Sequence, residues 1–409
     1  MENGFKVFLA ARTVSIFGDR VAGVVLPLAI LAANGSALAA GLVAAALRLP
    51  AVLAALHLGA LVDRFDRRTL MICADVVGAV SFVAIGAEIV LADGRLPVLV
   101  LLALLAGTAE TVFSTASGSY LPKLVDEKQL MRANGLAEGS DAAATLAGPA
   151  AGGWLLQAFG PFVAFLTNAV SFLTSALLLM WLPGNRPPTR ADEAADESLF
   201  AGLRLITHQR WQRLLLTAAC YMHLLTAVAF LPLLVRMRDE LGLDPETIGL
   251  VISAAGVGGL ISGLYIARWC ETRQWPLLLA VVLGVNGAAA GSFALLGGAG
   301  WLTLAVLILD GASALAFIIV SATRQRITAD HLRGRVLAAG GAVTALVRLL
   351  GIIAVGALTE RFGPNPVLIG LALIGIPFIL LLLTASHSSG FAAEDSETPA
   401  TFRQTVGTE

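Results

Sequence analysis

The feature that most constrains this 409-residue chain is a succession of long apolar runs, each bounded by charge or by Pro and Gly clusters. A bilayer's hydrocarbon core is roughly 30 Å thick and takes about 20 helical residues to cross, so each run reads as one transmembrane helix. The runs fall at 5–31, 38–62, 69–91, 96–119, 133–157 and 161–182, then at 214–235, 247–267, 276–296, 301–323, 336–357 and 366–384. Composition agrees: 57% of residues are hydrophobic and 13% charged, against roughly 25% charged in a soluble domain. So little charge cannot cover a water-soluble chain of this length, and the apolar surface must face lipid. The expected fold is all-α, with twelve transmembrane helices in two six-helix bundles.

A polar stretch at 183–213, with Pro187-Pro188 and the acids Asp192, Glu193, Asp196 and Glu197, parts the two sets of runs and reads as a linker. The expected units are a bundle at 1–182, the linker, a second bundle at 214–384 and a polar tail at 385–409. Basic loop residues resist translocation, which makes the Lys- and Arg-rich side cytoplasmic. One side holds only Arg95, Arg236, Arg238 and Arg361, while the loops of the other carry all the remaining basic residues outside helices, from Lys6 through Arg64, Lys123 and Arg335 to Arg403. Both termini are therefore expected in the cytoplasm and the chain in the cell membrane, crossing it many times. The first run is too long for a signal-peptide core and lacks a small-residue cleavage site, so the first helix is expected to be retained.

The halves echo one another. Gly41-Leu42-Val43 opens the second helix and Gly249-Leu250-Val251 the eighth; LVDEKQLMR at 124–132 follows the fourth helix and ITADHLRGR at 327–335 the tenth. Two parallel six-helix repeats account for these matching positions.

Two local motifs stand out. GALVDRFDRR, residues 59–68, lies between the second and third helices. Gly59 permits close approach of another helix. Positive-side anchoring explains Arg64, Arg67 and Arg68 but neither Gly59 nor Asp63. GPAAGG, residues 148–153, lies inside the fifth helix. There Pro149 removes a backbone hydrogen bond, and Gly148, Gly152 and Gly153 let a partner helix approach. Such Gly/Pro helices also occur in membranes for packing alone.

The first motif, with the six-plus-six layout, resembles the loop motif of the major facilitator superfamily, and that resemblance implies that Asp63 and Arg67 help latch the two halves on the cytoplasmic side. Asp66 departs from the pattern, standing where many members have Gly. GPAAGG is similar to the helix 5 motif of antiporters in that superfamily, which implies export rather than uptake. Together with SIFGDR at 15–20, YLPKLVDEKQLMRANGL at 120–136, FLTNAVSFLTSALLL at 165–179 and RQRITADHLRGRV at 324–336, these segments resemble the drug and siderophore exporter branch, the macrolide efflux and enterobactin exporter-like group. The resemblance implies proton-driven export and leaves the substrate open.

Charge inside a bilayer is costly, so intramembrane ionisable groups face a cavity or a partner. A carboxyl whose surroundings alternate between dry and wet can load and release a proton. The candidates are Asp19, Glu110, Asp141 and Asp310, with Arg12, Arg20, Arg48 and Arg348 able to pair with them or with an anionic substrate. The superfamily fold implies a cavity lined by helices 1, 4, 7 and 10, which favours Asp19, Glu110 and Asp310. Plainer readings stand beside these. Asp19 next to Arg20 is equally a structural ion pair, and Asp141 equally a support for the helix 5 kink or the cytoplasmic gate. Asp75 and Glu88 lie towards the ends of the third helix, where snorkelling or loop contacts suffice. His57 and His223 read as packing residues, and Phe17, Phe113, Tyr221, Phe230 and Phe317 only weakly suggest an aromatic lining.

Other chemistry is missing from the sequence. There is no GxxxxGK[ST] phosphate loop, HExxH or GxSxG, and Cys73, Cys220 and Cys270 lack metal-ligand or redox spacing. A net charge of −1 offers no basic field for nucleic acid. The expectation is therefore no enzyme, no cofactor and no metal, but a monomeric proton-coupled antiporter exporting an amphipathic drug, siderophore or secondary metabolite. An uptake symporter and a non-transporting receptor of the same fold are the alternatives.

Overall fold

In a computed structural model, the described residues are 3–62, 65–184, 195–263 and 275–387; within them, the side chains of 54–62, 127, 195–201, 330, 331 and 385–387 lie outside the description. The described regular structure is helical throughout. The first half comprises α1 (Asn3–Asn34), α2 (Ala37–Val62), α3 (Arg67–Leu91), α4 (Leu96–Tyr120) and α5 (Leu130–Leu179). A short helix, α6 (Ala195–His208), lies between the halves. The second half comprises α7 (Arg210–Glu240), α8 (Pro245–Ile261), α9 (Trp275–Leu295), α10 (Ala299–Ile327), α11 (Asp330–Phe362) and α12 (Pro364–Thr384).

Nine helices among the described residues are long and apolar enough to cross a membrane. One of them, the 50-residue α5, is two helices in sequence: Gly160 breaks it at φ 80° and ψ 176°, a left-handed conformation that Gly adopts without the Cβ clash, and Pro161 restarts it. Two shorter apolar helices, Ala37–Leu53 and Pro245–Ile261, add to these. The break recurs in the second half, where Gly363 at φ 79° and ψ 170° joins α11 to α12 ahead of Pro364. The interval from Gly160 to Gly363 equals that between the two echo segments after α4 and α10, so the repeat extends to backbone conformation.

Most of 183–213, read as a linker, contributes helix where it is described: α6 buries Gly202 and Ile206 against Val336 and Ala339 of α11, and α7 already begins at Arg210. The proline pair and acidic run just ahead of it hid α6, although Leu199, Leu203 and Ile206 recur at helical spacing. Asp66, the departure from the loop pattern, caps α3 by accepting from the backbone N–H of Arg68 at 3.0 Å.

Each half has its own core. Val25, Ile30, Ile85, Leu99 and Phe165 centre the first; Leu215, Leu279, Leu283, Phe293 and Leu368 centre the second. The halves meet closely at the Arg-poor end, through two related crossings. On one, α5 lies on α8: a Cβ at Gly153 would sit 3.1 Å from the Gly249 Cα, the Ala150 N–H donates to Ser253 Oγ at 2.9 Å, and the Glu246 N–H donates to Gln157 Oε1 at 3.1 Å. On the other, α2 lies on α11: a Cβ at Gly41 would sit 3.1 Å from the Gly356 Cα, and the Leu38 N–H donates to Glu360 Oε2 at 3.2 Å. Gly41 and Gly249, which echo in sequence, are thus the equivalent contact points.

Candidate functional site

Between the halves lies a cavity of about 620 Å³, walled by α1, α2, α4 and α5, with Phe82 of α3, on one side and by α7, α8 and α11 on the other. The local departures of these helices shape it. Pro27 in α1 and Pro149 in α5 line it, and α7 leaves the regular α-helix for a π turn at Leu224–Val228, putting Thr226, Ala227 and Val228 on its wall. GPAAGG seats the wall helices: a Cβ at Gly152 would lie 2.8 Å from the Val21 carbonyl oxygen, and Gly148 abuts Arg20. Helices α1 and α5 therefore touch at backbone distance, which holds Arg20 and Asp141 opposite each other.

Asp19, Arg20, Arg48, Glu110, Asp141 and Arg348 all line this cavity. Arg48 Nη1 donates to Glu110 Oε1 at 2.7 Å, from α2 to α4, and Arg20 Nη2 to Asp141 Oδ1 at 2.9 Å, from α1 to α5. The Asp19–Arg20 pair considered from sequence adjacency does not form, because successive helical residues point about 100° apart. Glu110, without a basic neighbour in sequence, has one in space. Arg348 stands on the facing half, close enough for Arg48 and Glu110 to act on it electrostatically.

A second cavity, of about 270 Å³, adjoins the first and is lined by first-half residues alone. Asp19 and Glu110 border both. From them it runs past Asp75 and Ser117 to Asn134 and Glu138 near the Arg-rich end.

The remaining sequence candidates distribute unevenly. Asp310 is not a wall residue of either cavity; it faces Gly259, on the contact between α10 and α8. Asp63 and Arg64 lie outside the described residues, as do the surroundings of Gly59. Arg67 is buried, and Arg68 reaches the carbonyl oxygens of Leu179, at 2.9 Å, and Met180, tying α3 to the end of α5 within one half. Of the aromatics, Phe113 and Phe230 line a cavity, whereas the Tyr221 hydroxyl donates to the Ala372 carbonyl at 3.2 Å and Phe317 is exposed on the outer surface. Glu88 does make the loop contact expected, accepting from Arg95 Nε at 2.7 Å.

Asp75 corrects the sequence reading. It is 2% exposed, faces inward and borders the smaller cavity, which rules out snorkelling. The signal was available: Met71, Asp75, Gly78 and Phe82 recur at helical spacing on the buried face of α3. Arg12, one of the basic counterparts expected from the sequence, donates instead to the Ala137 carbonyl at 2.8 Å and pins α1 to α5.

Comparison with known proteins agrees with this architecture. The profile of the Major Facilitator Superfamily matches residues 8–352. The MFS-type transporter YfiS of Bacillus subtilis (strain 168) is 27% identical over 396 residues, covering 93% of both chains. The multidrug efflux pump Tap of Mycolicibacterium fortuitum is 27% identical, over 93% of this chain and 94% of Tap. The enterobactin exporter EntS of Escherichia coli O9:H4 (strain HS) is 24% identical, over 94% of this chain and 92% of EntS. Among solved structures, a bacterial homologue of the iron transporter ferroportin in its inward-facing state superposes with a TM-score of 0.70 at 19% identity, over 94% of this chain and 98% of that one, a likeness of fold. The chain is a multi-pass membrane protein belonging to the Major Facilitator Superfamily.

Proposed function

We propose that this transporter exports an amphipathic small molecule in exchange for protons, by alternating access. The observation that carries the reading is the convergence of Asp19, Glu110, Asp141, Arg20, Arg48 and Arg348 on one cavity between two halves that close against each other at the Arg-poor end. Efflux by Tap and export by EntS, relatives along nearly the whole chain, support the outward direction. The mixed lining, with Phe82, Phe172, Phe230 and Ile352 beside the charges, suits a drug-like, siderophore-like or secondary-metabolite substrate.

In this reading, with both termini and the Arg-rich loops cytoplasmic, the cavity loads from the cytoplasm. The bundles at 1–182 and 214–384, joined by 183–213, then rock about the α5–α8 and α2–α11 crossings. Asp19 and Glu110 exchange protons as their surroundings alternate between wet and dry, while the Arg partners compete for the carboxylates. Asp310 acts from the α8–α10 contact rather than on substrate. The loop motif around Asp63, Arg64, Arg67 and Arg68 gates the cytoplasmic side.

The test is efflux from cells expressing the chain, scored over a panel of amphipathic compounds. At least one compound is expected to leave faster than from control cells, and a protonophore to abolish the difference. Efflux that survives collapse of the proton gradient sinks the coupling, and faster accumulation sinks the direction.

A further inference from the structure

The two cavities differ in who builds them. The larger is walled by both halves, so a rigid movement of one half against the other would reshape it; the smaller is lined by first-half residues alone, from α1, α3, α4 and its following turn, and α5, so the same movement would leave its walls together. They share Asp19 and Glu110, so these carboxyls are reachable from two directions. Asp75 lines the smaller cavity. The hydroxyls of Ser15, 3.5 Å from the Asp75 Oδ1, and of Ser175 are its polar neighbours, no cation among the described residues pairs with it, and the side chain is 2% exposed. The groups facing it are Arg12 and Asp19 from α1, Glu110 from α4, Glu138 from the first limb of α5 and the uncharged Ser175 from the second. Arg12 is occupied by the Ala137 carbonyl and makes no ion pair with Asp75.

Burying a carboxylate without a paired cation is costly, and a proton removes the cost. We propose that the smaller cavity is a proton path separate from the substrate cavity, with Asp75 as the relay between the Arg-rich end and the Asp19–Glu110 border. A substrate filling the larger cavity would block water from reaching Asp19 by that route; a path inside one half leaves proton access independent of substrate occupancy. Ser117 and Asn134 supply polar groups for the water such a path needs. The proposal rests on the proton-coupled reading above.

The test is infrared spectroscopy on the full chain in lipid nanodiscs, with no substrate added. A protonated-carboxyl C=O band is expected to titrate in the wild type, to be lost in Asp75→Asn and to reappear shifted in Asp75→Glu. Filling the cavity should then slow hydrogen–deuterium exchange at that band. Gly118→Trp does so, since a Cβ at Gly118 would meet nothing within 4 Å. Thiol labelling of Thr226→Cys in the larger cavity should proceed unchanged in that background. If Gly118→Trp does not fold, Ser114→Phe fills the same space. A band unaltered in Asp75→Asn, or exchange unaffected by filling, overturns the relay. The band present in a chain that exports nothing would retain the relay and reject the transport reading; protonophore-sensitive efflux without the band would do the reverse.

Discussion

Charge pairing is where individual residues of this transporter do most. Arg48 and Glu110 are about half exposed to the cavity, so their contact is screened and contributes about 1 kcal/mol or less to stability. Glu110→Gln is therefore expected to leave the thermal unfolding temperature in detergent almost unchanged while sharply reducing proton-coupled efflux; wild-type efflux would remove Glu110 from the mechanism. The carboxyls themselves were legible in the sequence, because charge in an apolar run stands out. Their partners were not, since Arg20 and Asp141 lie 121 positions apart and the adjacent Asp19–Arg20 pair is geometrically wrong. Asp75 was visible as an acid, but its burial depends on the rotational setting of α3 against α1 and α5.

At the scale of elements, small residues decide how closely helices approach. In GPAAGG, Gly148 and Gly152 serve α1 and Gly153 serves α8, so one motif joins both neighbours of the first limb of α5. Gly153→Leu would drive a side chain into the Pro245 carbonyl and the Gly249 Cα. Overpacking of this kind costs roughly 1–3 kcal/mol. The expected outcome is a lowered unfolding temperature together with faster thiol labelling of Ile352→Cys by a membrane-impermeant reagent added from the Arg-poor side. Unchanged labelling would show that the α5–α8 crossing does not seal that end. Helix existence and ends were readable to within a few residues, as at α4 and α9, because charge and Pro mark them. The α6 helix was not, because it is short, follows an acidic run and is held in place by docking on α11, a contact that sequence does not show.

Across the whole molecule, the Gly41–Gly356 and Gly153–Gly249 contacts form a pseudo-symmetric closure at one end, with the cavity behind it. Disulfide geometry requires Cβ atoms about 3.5–4.5 Å apart. A Cβ at Gly41 on α2 would lie 3.1 Å from the Gly356 Cα and one at Gly356 on α11 3.2 Å from the Gly41 Cα, so paired cysteines there face each other and a small outward shift of one helix brings them into that range. Oxidation of that double variant is expected to stop efflux and reduction to restore it; continued transport by the cross-linked protein would mean that this end never opens. The sequence by itself determined the helical class, the repeat and the approximate positions of the membrane helices. Lipid offers no hydrogen bonds to the backbone, so an apolar run of sufficient length has one local solution, and its ends are written in charge. Only the tertiary structure decided which carboxylate meets which arginine, that Asp75 lies inside a cavity of its own half, and which ends of the halves touch. Those outcomes depend on the rotation and crossing of helices whose apolar character runs nearly all round, joining residues as far apart as Leu38 and Glu360, and no local pattern encodes them.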